Sequence, residues 1–326
     1  MRRLSLFALI FIVLAGLYWL LEGREGKVSR EPDHLLFGFE PANVQYINIT
    51  PPGTETIVLQ RNDEAWLVSR DGVSYAADSP AVQALLDNLA ALKTNSMASR
   101  NPDRHARYEV SLETGLRVET LDRDKRALAA LLIGKSGPNI FSTYVRNDDS
   151  DKVYLVDGIL QNAASKSVNE WRDKTIFSFK PEQVTAYTVI GTSSLALNKT
   201  KGEWLIGSEQ APANTAVVEQ AVRTLATLNA ADFAEGSLEK FGLAAPAQTV
   251  TATFDDGTEA VLLLGKDVNA FQQYAKKADD QTIYIVEKHI LGMLCPTMEE
   301  LNAPVPDAAK EETPAAPAEA PAAKSR

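Results

Sequence analysis

Two spacings of apolar residues recur along this chain. Gln45, Ile47 and Ile49 alternate with Tyr46, Asn48 and Thr50. A period of two sends the two sets to opposite faces and predicts a half-buried strand. Val82, Leu85, Leu86, Leu89 and Leu92 instead return every three or four residues, as do Val218, Val222, Leu225 and Leu228. Each of these runs predicts an amphipathic helix. Pro80 and Asn214-Thr215 stand where helix-start residues are favoured. Thr253 to Glu259 reads as a hairpin closed on Asp256-Gly257, with Leu121 to Arg126 as a more polar hairpin. Successive hairpins with an occasional helix predict antiparallel sheets carrying helices on one face, the α+β class.

The same series of elements is written twice. Val44 to Ile49 is followed 140 residues later by Val184 to Val189. Leu59, Arg61, Glu64, Trp66 and Leu67 match Leu197, Lys199, Glu203, Trp204 and Leu205, and the two helical runs come next. Leu131-Leu132-Ile133-Gly134-Lys135 then matches Leu262-Leu263-Leu264-Gly265-Lys266, and Val153-Tyr154-Leu155-Val156 matches Ile283-Tyr284-Ile285-Val286. The offset drifts from about 140 to about 130 residues, as small loop deletions produce. Order, residue type and spacing agree, so the chain carries two tandem copies of one module. Function is then expected where the copies differ. Asn95 to Arg107 is basic, against Asp232 to Gly236 in the second copy. Ser167 to Lys174, around Trp171, reads as unmatched by Pro296 to Leu301.

The ends differ from the middle. Leu4 to Leu21 is an 18-residue apolar run broken only by Ser5, preceded by Arg2 and Arg3 and ending near Tyr18 and Trp19. At 1.5 Å per residue it spans about 27 Å, close to a bilayer's hydrocarbon thickness. The flanking arginines favour the cytoplasm. Leu20, Leu21 and Glu22 make a poor cleavage site, so an uncleaved signal-anchor is expected. From Asn302 onward, alanine and proline mix with scattered charges and no aromatics; such a segment is expected to stay disordered. The expected organisation is 1–27 cytoplasmic tip and transmembrane anchor, 28–179 first module, 180–301 second module and 302–326 tail. The expected location is a bacterial inner membrane, crossed once, with the bulk of the chain periplasmic.

Composition narrows the function. The formal net charge of −10 disfavours nucleic acid. The one cysteine, Cys295, offers neither an internal disulfide nor a thiolate metal site, and its apolar neighbours predict an unreactive thiol.

The paired tryptophan strands, the Gly-Lys pairs, Tyr144-Val145-Arg146, Val153-Tyr154-Leu155-Val156 and Glu170-Trp171-Arg172-Asp173-Lys174 resemble a bacterial family called domain of unknown function 4340. The resemblance runs from about Val44 to Leu301. It implies a membrane-anchored envelope protein, often encoded beside an ABC transporter permease, its ATPase and a gliding-motility-type auxiliary protein. It carries no catalytic residues and no cofactor.

Candidate chemistry is sparse. Gly134-Lys135-Ser136 ends like a phosphate-binding loop, but Ala129 stands where that motif needs glycine; a turn after a buried strand accounts for both Gly-Lys pairs. His34, His105 and His289 lack zinc-ligand spacing. Gly191-Thr192-Ser193-Ser194-Leu195 misses the last glycine of a serine-hydrolase elbow. Asn147-Asp148-Asp149-Ser150-Asp151 is dense in oxygen ligands, but it lacks a calcium loop's glycine and closing glutamate and suits a hairpin turn. Trp66 and Trp204, matched on strands, are expected in the core rather than stacked on a sugar. Arg100, Arg104, His105 and Arg107 are the candidate contact surface, for an acidic partner or anionic ligand. The leading expectation is a non-catalytic accessory or scaffold subunit of an envelope ABC-type transport complex, partnered by its permease or an auxiliary envelope protein. An envelope hydrolase acting on glycan or peptide and a cell-wall polymer-binding protein stay open as alternatives.

Overall fold

The computed structural model describes residues 35–94, 96–191, 194–208 and 210–303. The expected anchor, His34 and the tail beyond residue 303 lie outside them. Among the described residues no helix is long and apolar enough to cross a membrane. The chain divides between Asp173 and Lys174 into two compact units. This division falls six residues before the one read from the sequence, because Ile176 and Phe177 are buried in the second core.

Each unit is an antiparallel sheet with helices on one face. In the first, β1 (Tyr46–Thr50), β2 (Ile57–Asn62), β3 (Ala65–Arg70) and β4 (Val73–Ala76) precede helix α1 (Ser79–Ala90) and β5 (Ser96–Ser99). Strands β6 (Leu116–Leu121), β7 (Ala127–Ser136), β8 (Ser142–Asn147) and β9 (Val153–Asp157) follow, then short helices α2 (Leu160–Ala164) and α3 (Val168–Trp171). The strand order is β4-β3-β2-β1-β6-β7-β8-β9-β5. The second unit repeats it with β10 (Val184–Ile190), β11 (Leu195–Thr200), β12 (Glu203–Ile206), β13 (Ala211–Pro212), α4 (Thr215–Ala226), β14 (Asp232–Ala234), α5 (Leu238–Phe241), β15 (Gln248–Phe254), β16 (Glu259–Asp267), β17 (Gln272–Lys277), β18 (Ile283–Glu287), α6 (Lys288–Leu294) and α7 (Met298–Asn302). Its order is β13-β12-β11-β10-β15-β16-β17-β18-β14. The last helix includes Asn302, which the sequence reading gave to the tail.

The alternation in β1 is realised, with Ile47 and Ile49 buried. Together with Leu59, Trp66, Val118, Leu131 and Val145 they meet Val82, Leu85, Leu86 and Leu89 of α1 in one core. Tyr187, Val189, Leu197, Trp204, Val250 and Leu262 meet Val218, Val222 and Leu225 of α4 in the other. Both tryptophans are core residues, Trp66 beneath the Arg61 guanidinium and Trp204 beneath the Lys199 ammonium.

The segments around Trp171 and Leu301 correct one expectation: they correspond. Ser167 and Thr297 each open a capping box, closed by Glu170 and Glu300. The Trp171 and Leu301 side chains are both buried, and their carbonyls accept from the backbone N–H of Asp78 and Asn214, the caps of α1 and α4. The match escapes a residue-type comparison because a tryptophan and a leucine fill the same place.

Candidate functional site

The four candidate residues lie on one loop, from Arg100 to Val110, that leaves edge strand β5 and covers the sheet face opposite the helices. Two single 3-10 turns, Pro102–Arg104 and Ala106–Tyr108, shape it. The Asn101 carboxamide oxygen accepts from the Asp103 N–H at 3.0 Å. Arg100 and Arg107 are exposed, Arg104 and His105 half-buried. The base is packed: Val110, Leu132 and Val153 are fully buried, and the half-buried Tyr108 and Tyr144 rings meet at a tilt, 4.7 Å apart. Burial raises the Tyr144 pKa and Tyr108 adds to the rise, while the charge of Arg107 opposes it.

The loop explains the Gly-Lys pairs, which are not turns. Gly134 lies inside β7, where a Cβ would stand 2.1 Å from the Tyr108 carbonyl oxygen. Gly265 lies inside β16, where a Cβ would stand 2.3 Å from the Phe241 oxygen. Glycine is required because the covering loop's backbone rests on the strand. The second unit has the same cover, with Phe241 packed on Tyr274 at 4.4 Å above Leu243 and Ile283. Its surface carries Glu235, Glu239 and Lys240 where the first carries arginines.

The structure joins two segments that looked unrelated in sequence. The Asn147–Asp151 stretch is the turn between β8 and β9. His105 Nε2 lies 3.1 Å from the Asp151 carbonyl oxygen, tying the basic loop to it. Arg146, itself buried, donates from Nε to the Val110 carbonyl at 2.8 Å and from one terminal nitrogen to the carbonyls of Asn147, Asp148 and Ser150. A buried cation is tolerated when carbonyl oxygens replace its water. Lys276 is the counterpart in the second unit, buried and donating to the carbonyls of Lys277 and Ala278. Sequence reasoning passed over both, because a cation on a strand reads as exposed.

Beside this turn the first unit has a polar network that the second lacks. Arg117 pairs with Asp148 at 2.8 Å and with Glu119 at 3.2 Å, and the Asn48 carboxamide donates to Glu119. Arg117, Glu119 and Asp148 border an open depression of about 480 Å³ that also touches Phe37 and Ala127 to Ala130. By strand register the second unit has Thr249, Thr251 and Thr188 in place of Arg117, Glu119 and Asn48.

The remaining candidates are dispersed. His289 is exposed on α6. Cys295 is half-buried against the second core, and desolvation pushes its thiol up to about 11. No group of three His, Cys, Asp or Glu side chains among the described residues is arranged to hold a metal ion.

The family model described as Domain of unknown function (DUF4340) matches residues 66–237 and 204–301. The two matches begin at Trp66 and Trp204, the paired tryptophans of the two copies. No curated protein and no solved structure matches the chain. With residues 66–301, well over half of its length, covered by two matches to one model, the chain belongs to the DUF4340 family.

Proposed function

We propose that this protein is a non-catalytic accessory subunit of an envelope ABC-type transport complex, held by Leu4–Leu21 in the inner membrane with both units on the periplasmic side. The Arg100–Arg107 loop carries the reading. It exposes Arg100 and Arg107, and part of Arg104 and His105, on a chain whose net charge is −10. It is braced by a half-buried aromatic pair, a glycine-permitted backbone contact and the Arg146 clamp. A braced surface of this kind suits recognition, because little ordering entropy is lost on contact. The second unit keeps the aromatic pair and the glycine contact and changes the charge. That is what a duplicated scaffold does when one copy acquires a contact surface. The partner is an acidic face of the permease or of an auxiliary envelope protein.

The test is charge reversal of Arg100, Arg104 and Arg107 together, to glutamate, with circular dichroism to verify folding. Loss of co-purifying partners and of complementation in a deletion strain is expected. A folded triple variant that keeps every partner and complements fully would remove this loop from the contact.

A further inference from the structure

Apolar residues that recur in the two units are mostly buried, but Phe141 and Phe271 are 65% and 75% exposed. They occupy the same place, the tip between β7 and β8 and between β16 and β17. Their display is built in. The Phe141 N–H donates to the Asn139 side chain at 3.0 Å and the Phe271 N–H to the Asn269 side chain at 2.8 Å. The Phe141 carbonyl accepts from Gly158 and the Phe271 carbonyl from Lys288. The backbone is pinned on both sides, so the ring points to solvent in each copy.

The copies differ in what surrounds the ring. In the first unit Ile140 is 71% exposed and Ile159, next to Gly158, is 42% exposed. Ala270 and His289 stand at these places in the second unit, where Asp267 and Lys288 pair beside the tip at 2.7 Å. Gly137 to Phe141 carries no charge. The apolar tip is therefore elaborated in the first unit alone, the one that follows the Leu4–Leu21 run.

It also lies at the end of that unit where the described chain begins. Leu35 bridges to Lys93, and the Leu36 N–H donates to the Leu92 carbonyl. Leu92 and Lys93 face Asp157, Gly158 and Ile159 across a depression of about 230 Å³. Gly158 in turn bonds Phe141. Thirteen residues, 22–34, separate Leu35 from the apolar run, a reach of at most ~45 Å fully extended.

We propose that Ile140, Phe141 and Ile159 dip into the outer face of the bilayer that holds Leu4–Leu21, setting the first unit against the membrane by this end. The proposal rests on the anchored reading. Exposed apolar patches mark membrane or protein contacts. Here an uncharged aromatic tip beside the chain's approach from the membrane favours lipid, since aromatic rings settle at the headgroup boundary.

The experiment uses the full-length chain with Cys295→Ser and one new cysteine, Ile140→Cys or Arg123→Cys. Each is labelled with a polarity-sensitive fluorophore and reconstituted into phosphatidylethanolamine–phosphatidylglycerol vesicles. Arg123 lies on the β6–β7 turn, at the other end of β7, and serves as the aqueous reference. A blue shift at position 140, with emission lost when the lipids carry a nitroxide on the upper acyl chain, is expected; position 123 keeps its aqueous emission. Alkaline carbonate washing of the same vesicles separates the two ideas. Release of the chain would overturn the anchored reading and the proposal with it. Retention with an aqueous, unquenched position 140 would overturn the proposal alone. A blue shift without lipid quenching would also overturn it, assigning the tip to contact between copies of the chain.

Discussion

Trp171 and Gly134 show two opposite ways in which one residue fixes this fold. Trp171 is fully buried in the first core; Trp171→Ala leaves a cavity and is expected to cost about 3–5 kcal/mol, read as a lower urea midpoint at unchanged slope. Gly134 works by having no side chain. Gly134→Ala and Gly265→Ala place a methyl against a backbone oxygen, and each is expected to destabilise its covering loop, read as faster amide exchange in residues 101–110 or 236–243. Cys295 gives a pH prediction. Burial holds its thiol protonated to about pH 11, against an ordinary value of 9.0, and burial also raises Tyr187. A raised folded pKa contributes stability below the unfolded value, lost as pH rises toward the folded one. The urea midpoint is therefore expected to fall between pH 9 and 11, and iodoacetamide is expected to modify Cys295 slowly at pH 8 until the chain is unfolded. The paired tryptophans and the thiol's surroundings were legible in the sequence, because burial follows from apolar context. Arg146 and Lys276 were not, because only the fold brings carbonyls to a strand cation.

At the scale of elements, hairpins and helices were read well because their signals are local. The Asp256-Gly257 turn closes β15 on β16 with Gly257 at φ +82°, and α1 and α4 bury the stripes expected of them except that Leu92 and Leu228, also buried, lie just past the helix ends. Their caps are Asp78 and Asn214, whose side chains accept from Ala81 and Ala216. Asp78→Ala and Asn214→Ala are each expected to cost about 1 kcal/mol, measurable by chemical denaturation. Pro80 pointed to the right place while Asp78 makes the bond. What stayed hidden was non-local. Strands β5 and β14 pair with β9 and β18 at the sheet edge, a return that short-range patterns do not encode. The equivalence of Ser167–Trp171 with Thr297–Leu301 rests on shared hydrogen bonds rather than shared letters. The same holds for the candidate site: the basic loop was visible as a run of arginines, its union with the Asn147–Asp151 turn only in three dimensions.

For the whole molecule, duplication is the organising fact. Two units of identical strand order, each with its own core, carry different surfaces on the same cover. In the proposed arrangement the apolar N-terminal run fixes the side of the membrane. Alkaline phosphatase fused after residue 303 is accordingly expected to be active, with a cytoplasm-dependent reporter at the same junction dark. The proposed role is to work by contact, and tagged full-length protein purified from detergent-solubilised membranes tests it directly. Recovery of a transporter permease or auxiliary envelope protein in fixed ratio to the bait is the predicted result. Bait that purifies alone, from a strain in which the same tagged chain fully rescues the deletion, would contradict it.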